Sequence, residues 1–135
     1  MTFRPEEIDP ATWPAIFAIL RPAIERTTTT EPVADLIDEL LSHRAQLWVS
    51  RTEGGDPIAA AVSELIRTPR GHLVNGRLLA GRGMGLWLDD LIACIAEHAA
   101  YVGAIGIQIT GRKGWARVLA RRGFRERAIV MEAAI

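Results

Sequence analysis

The residues of this chain best suited to chemistry are Gly81-Arg82-Gly83-Met84-Gly85, a glycine-rich run between a strand-like and a helix-like stretch. A helix N-terminus presents backbone N–H groups without partners, together with the positive end of the helix dipole. Glycines let a ligand approach that backbone without side-chain interference. The combination makes an anion site suited to a pyrophosphate, and Arg82 could add a charge-assisted contact. Alone, a G-x-G-x-G run is weak evidence, and a tight strand-to-helix turn is the competing account.

The other reactive side chains are scattered. Cys94 is the single cysteine, which excludes a disulfide framework and a cysteine-rich zinc site within one chain. It falls inside a helical stretch and reads as a small buried or half-buried side chain. The three histidines show no metal-binding spacing, so no metal is expected. His43 and His98 sit at or near predicted helix C-termini, where imidazolium suits the dipole. His72 follows a turn glycine. The four tryptophans read as core or interface residues. Arg112, Lys113, Arg117, Arg121 and Arg122 share one helical face, which a solvated surface explains.

The elements that must position these residues follow from periodicity. Met1 to Arg4 reads as a short strand ended by Pro5. Asp9-Pro10 starts a helix carrying Trp13, Ile16, Phe17 and Leu20 at spacings of three and four, with its end disturbed by Pro22. Thr27 to Thr30 form a loop and a second N-cap. The next helix places Val33, Leu36, Ile37, Leu40 and Leu41 on one stripe, with Asp35, Asp38 and Glu39 outside it. Three strands follow with tight turns between them, Gln46–Arg51, Pro57–Thr68 and His72–Ala80, and predict an antiparallel meander. The glycine turn then leads into a long helix from Leu86 to Val102 with Leu88, Leu91, Ile92, Ile95 and Ala99 inward. Gly103 caps it. Ile105, Ile107 and Ile109 alternate in a strand over Ala104–Thr110. A short helix over Lys113–Arg122 turns Trp115, Val118 and Leu119 inward and stops at Gly123. A last strand is expected over Arg125–Ala134.

Composition limits the partners. The chain has 135 residues, 49% of them apolar, which suits a single α/β domain over 1–135 with a substantial core. Sixteen basic and sixteen acidic residues give a formal net charge of zero, so no bulk attraction to nucleic acid or membrane is expected. No apolar run reaches the length of a membrane span, and the first residues lack the apolar core of a secretory signal. The expectation is a soluble cytoplasmic protein.

The order of elements, with Phe3-Arg4-Pro5, Ala80-Gly81-Arg82-Gly83-Met84-Gly85 and Arg121-Arg122-Gly123-Phe124, resembles the GNAT (N-acetyltransferase) superfamily along nearly the whole chain. The resemblance implies a mixed, mostly antiparallel central sheet flanked by helices. It implies acetyl-CoA as cofactor, with the pyrophosphate on the turn's N–H groups. Gly81, Arg82, Gly83, Met84, Gly85 and Leu86 would be the cofactor-binding residues. It also implies that His72–Ala80 and Ala104–Thr110 splay apart around the pantetheine arm, and that the basic helix could meet the adenosine 3′-phosphate. Three positions depart from the family pattern. Ala80 replaces the Gln or Arg at the head of the motif, and Leu119 replaces the tyrosine that commonly serves as general acid. Arg112 replaces the asparagine common at the start of that helix.

Acetyl transfer to an amine needs the thioester held, a donor to its carbonyl oxygen and a path for the amine's proton. Glu64 and His72 are the candidate bases beside the central strands. The competing accounts are a solvent-facing strand residue for Glu64 and an exposed turn histidine for His72. The leading functional reading is an acetyl-CoA-dependent N-acetyltransferase acting on an unidentified amine. A narrower resemblance links Gln46-Leu47-Trp48-Val49 and Ile109 to Leu119, with its Gly-Arg-x-Gly-Trp segment, to small GNAT-like proteins of tailed phages and prophages. It implies the alternative of a catalytically degenerate virion or assembly protein with phage structural proteins as partners. Edge strands and tryptophans also suggest a homodimer.

Overall fold

A computed structural model describes residues 2–27, 33–111, 114–129, 131 and 133–135. The threonine loop over 28–30, the side chain of Val33 and the residues Arg112 and Lys113 of the basic face lie outside the described set.

The chain runs β1 (Phe3–Glu6), α1 (Trp13–Thr27), α2 (Val33–Leu41), β2 (Ala45–Arg51), β3 (Pro57–Thr68), β4 (Gly71–Gly81), α3 (Met84–Tyr101), β5 (Gly106–Ile109) and α4 (Gly114–Ala120). The strands form one sheet in the order β1-β2-β3-β4-β5. The first four are antiparallel, and β5 runs parallel to β4. A parallel neighbour needs a crossover, and α3 provides it. The architecture is mixed α/β with a mostly antiparallel sheet, as the order of elements predicts.

Strand periodicity divides the core into two layers. On one face Leu47, Val49, Ala60, Val62 and Leu78 pack under α1 and α2 through Ile16, Leu20, Leu36 and Leu40. On the other, Trp48, Ala61, Val74 and Leu79 pack under α3 through Trp87, Leu88, Leu91 and Ile95. Small residues at Ala59, Ala60 and Ala61 are fully or almost fully buried on β3, so the sheet lies close to its covering helices there. Cys94 lies half-buried in α3, and burial followed by the nearby Glu97 raises its thiol pKa, which disfavours the thiolate.

Several boundaries move. Pro5 lies inside β1 and does not end it, because β1 is an edge strand and a missing N–H there costs no ladder bond. Helix α1 begins at Trp13, after a turn in which Asp9 accepts from the Ala11 N–H at 2.9 Å. Pro22 does not end α1. Ile16 and Leu20 before it and Ala23 and Ile24 after it pack on the same core, and that burial outweighs the lost backbone bond. The strand expected over Arg125–Ala134 does not form among the described residues, and Ile129, Met131 and Ile135 are exposed. The charged run Arg125-Glu126-Arg127 and the Ala133-Ala134 end have low strand propensity and little to bury.

Candidate functional site

The glycine turn is built by β3 and by α3. Arg82 N–H donates to Ile58 O at 3.3 Å, tying the turn to β3, and Trp87 Nε1 donates to Arg82 O at 3.0 Å from inside the core. Gly83 is the N-cap of α3 and is left-handed, with φ 64° and ψ 52°. Helix α3 therefore starts at Met84, inside the motif, two residues earlier than its periodicity predicts. The N–H groups of Met84 and Gly85 lie in the first helical turn, where no intrahelical acceptor exists. Arg82, Gly83, Gly85 and Leu86 are exposed around them, and Met84 is half-buried.

Downstream of the turn in space, β4 and β5 part. Their pairing covers only Leu73 to Gly76 against Gly106 to Ile109, and Thr110 N–H closes it on Gly76 O at 3.0 Å. Among the described residues, no strand pairs with β4 on its β5 side from Arg77 to Gly81. On the β3 side the register shifts at the same place. Val62 faces Leu78 and Ser63 faces Gly76, which leaves Arg77 as a bulged residue.

The bulge sends Arg77 toward α2. Its Nη1 lies 2.6 Å from Glu39 Oε2 and 3.7 Å from Glu64 Oε2, and its Nη2 donates to Glu39 Oε1 at 3.3 Å. Glu64 Oε1 also accepts from Asn75 Nδ2 at 3.1 Å, and Asn75 Oδ1 accepts from Thr110 Oγ1 at 3.0 Å. Two carboxylates, a guanidinium, a buried amide and a hydroxyl thus form one chain that ends where the strands separate. Burial, then the Glu64 carboxylate, push the Glu39 carboxyl above its ordinary value, against the pull of the Arg44 guanidinium. Burial lowers the Arg77 guanidinium.

Glu64 is half-buried and paired, which differs from a solvent-facing strand residue. His72 is not brought to it. Glu64 stands opposite Asn75 and so shares its face, whereas His72 stands opposite Arg67, three positions along and on the other face of the sheet. Sequence reasoning missed Glu39, which falls outside the apolar stripe of α2 yet pairs with β4. Its place beside that stripe was the only available signal. Arg77 and Asn75 carried none, because a bulge and a cross-strand pair leave no mark in local periodicity. Among the basic residues near α4, Arg117 and Arg121 are exposed, while Arg122 is bound to Asp89 of α3 and to Val118 O. His98 also departs from expectation. Its ring meets Trp48 edge-on at 5.1 Å, and burial lowers its pKa, which disfavours the imidazolium.

No protein-family model and no curated protein match the chain. Solved structures do match it over nearly its full length. An acetyltransferase from Trypanosoma brucei superposes with a TM-score of 0.71 at 14% identity, over 98% of this chain and 99% of that one. A predicted acetyltransferase from Clostridium acetobutylicum, solved with acetyl-CoA, gives 0.70 at 15% identity, over 98% and 96%. Glucosamine-6-phosphate N-acetyltransferase from Arabidopsis thaliana gives 0.67 at 14% identity, over 99% of both. The fold is GNAT-like. Leu119, where the sequence resemblance expects a tyrosine, is buried in α4. Tyr101, the only tyrosine in the sequence, is remote from the glycine turn. It is 89% exposed and lies at the opposite end of α3 from the glycine turn, roughly 25 Å away at 1.5 Å per residue.

Proposed function

We propose that this protein is an acetyl-CoA-dependent N-acyltransferase acting on a small or protein-borne amine. The observation that carries the reading is the parting of β4 and β5 after Gly76, beside a helix N-terminus where the Met84 and Gly85 N–H groups have no intrahelical acceptor. The residues fit the cofactor, because a Cβ at Gly85 would meet nothing within 4 Å and the backbone there is open to a phosphate. Gly83, Met84 and Gly85 would hold the diphosphate through backbone N–H groups, with Arg82 and Leu86 flanking it. Bound acetyl-CoA supplies an activated thioester, whose acyl group passes to the amine nitrogen with loss of the thiol. Glu64 takes the proton that the amine nitrogen gives up as its new C–N bond forms. Asn75 and Arg77 hold the Glu64 carboxylate in place. With leucine at position 119, no side chain there can protonate the departing thiolate, and solvent supplies that proton. His72, on the other face, has no part in this assignment.

The apolar Leu119 also favours a second reading, a catalytically silent protein that retains the fold. Virion association is one form of it, and the structural neighbours lend that form no support. The two readings divide on turnover. Calorimetry should show CoA and acetyl-CoA binding, and Gly85→Asp should weaken both at least tenfold by placing a carboxylate against the diphosphate. Absence of heat at millimolar ligand would overturn the cofactor assignment. Thiol release with a panel of amines should fall about a hundredfold in Glu64→Gln with unchanged CoA affinity. Binding without any thiol release would favour the silent reading.

A further inference from the structure

Arg77 stands between two carboxylates and engages them unequally. Its guanidinium grips Glu39 with both terminal nitrogens, Nη1 at 2.6 Å from Oε2 and Nη2 at 3.3 Å from Oε1. Glu64 Oε2 lies 3.7 Å from the same Nη1, an ion-pair distance too long for a hydrogen bond. Arg77 and Glu64 sit on adjacent strands, where opposite charges ordinarily pair directly. Glu39, from α2, draws the guanidinium off that partner. The two oxygens of Glu64 are thereby told apart. Oε1 accepts from Asn75 Nδ2 at 3.1 Å, and Oε2 has no hydrogen bond among the described residues. The Glu64 side chain is 29% exposed against 13% for Arg77, so a ligand over the sheet reaches the carboxylate more readily than the guanidinium.

We propose that Glu39 is a positioning residue, which holds the Arg77 guanidinium off Glu64 and so keeps Glu64 Oε2 open to the proton of the amine. The inference rests on the acyltransferase reading, in which Glu64 is the base, and deepens it. Asn75 fixes the carboxylate through Oε1, and Arg77 orients it without occupying the second oxygen. A fork of two guanidinium hydrogen bonds would occupy both oxygens. It would also favour the ionised form of the carboxylate and make it a poorer proton acceptor. Without the Glu39 charge, the guanidinium has about 1 Å left to close before it reaches a charge-assisted hydrogen bond to Glu64. Glu39 touches neither acceptor nor cofactor in this account and acts through Arg77.

The test is steady-state thiol release from acetyl-CoA, with the best acceptor among ethanolamine, putrescine, glucosamine and a lysine tripeptide. The proteins are the wild type, Glu39→Gln, Glu39→Ala, Glu39→Asp, Glu64→Gln and the double variant Glu39→Gln/Arg77→Met, each checked for folding and Tm by circular dichroism. Glu39→Gln should lower kcat about tenfold, a part of what a general base contributes, with KM for acetyl-CoA unchanged. Glu39→Ala removes the same charge at a helix position that alanine suits, and stands in if Glu39→Gln does not fold. Glu39→Asp keeps the charge and should retain at least about half of the wild-type kcat. In the double variant no guanidinium is left to close on Glu64, so kcat should return to within about threefold of the wild type. Replacing both partners of a partly buried ion pair is tolerated better than replacing one, which favours folding of the double variant. A pair that only braced the fold would lower Tm in Glu39→Gln and leave the kcat of the folded protein unchanged. That outcome, or a double variant no faster than Glu39→Gln, overturns the positioning role while acyl transfer stands. If the wild type releases no thiol with any of the amines, or Glu64→Gln matches it, the assignment of Glu64 falls and Glu39 falls with it.

Discussion

At Gly81 a side chain would place its Cβ 2.6 Å from Ala59 Cβ and 2.8 Å from Ile58 O, so β3 itself excludes anything larger than hydrogen. At Gly83 the backbone is left-handed, which disfavours every L side chain. Gly85 has neither constraint. It sits in the first turn of α3 with open space beyond its Cα, where alanine is the better helix former. The two kinds of glycine separate by mutation. Gly85→Ala should raise stability in urea by about 0.5–1 kcal/mol without ligand while weakening CoA binding. Gly81→Ala should lower stability by 2 kcal/mol or more, an order-of-magnitude figure for a forced backbone shift. A Gly85→Ala variant that binds CoA as the wild type does would remove the case for close phosphate approach at that residue. The glycine motif was legible in the sequence, but which glycine serves the fold and which leaves room for a ligand was not, because the distinction depends on Ala59 and Ile58 from another strand.

Helix and strand boundaries test a different level of the hierarchy. The stripes of α1, α2 and α3 and the three-strand meander follow from periodicity and turn residues, and the structure has them within a few positions. Where the boundaries moved, packing overrode local preference, as at Pro22 in α1. The end of α2 shows a local cost still present. His43 is the one non-glycine residue with positive φ among those described, at 61°, while Arg44 N–H closes the turn on Glu39 O at 2.9 Å. Glycine suits that position, so His43→Gly should stabilise the protein by about 1 kcal/mol, read as a rise of a few degrees in Tm. The same variant should leave the Glu39–Arg77 pair intact, and a rate of thiol release equal to the wild type's checks that it does.

Over the whole molecule, the sheet separates two environments. The α1–α2 face holds the charged chain from Glu39 to Thr110, and the α3 face holds an apolar layer with His98 against Trp48. Burial lowers the His98 pKa, so the folded state prefers the neutral ring. For a depressed pKa the stabilising contribution is present above the unfolded value near 6.5 and is lost as pH falls through the folded value. Tm should therefore decline as pH is lowered from 7.5 toward 5.5. His98→Gln, which cannot titrate, should flatten that decline, and an equal slope in both proteins would show that other groups dominate.

Helix stripes, the meander, the cap at Gly103 and the glycine turn are determined by the sequence itself, because each depends on residues within one or two turns of one another. Only the tertiary structure decided the rest. Glu39, Glu64, Arg77, Asn75 and Thr110 come from α2, β3, β4 and the residue just after β5, and meet through cross-strand register and one bulged residue. Register also placed His72 and Glu64 on opposite faces, since a side-chain period of two makes an odd offset decisive. The C-terminal segment shows the converse. Its pattern suggested a strand, but strand formation depends on a partner edge and an apolar face to bury, and local sequence specifies neither.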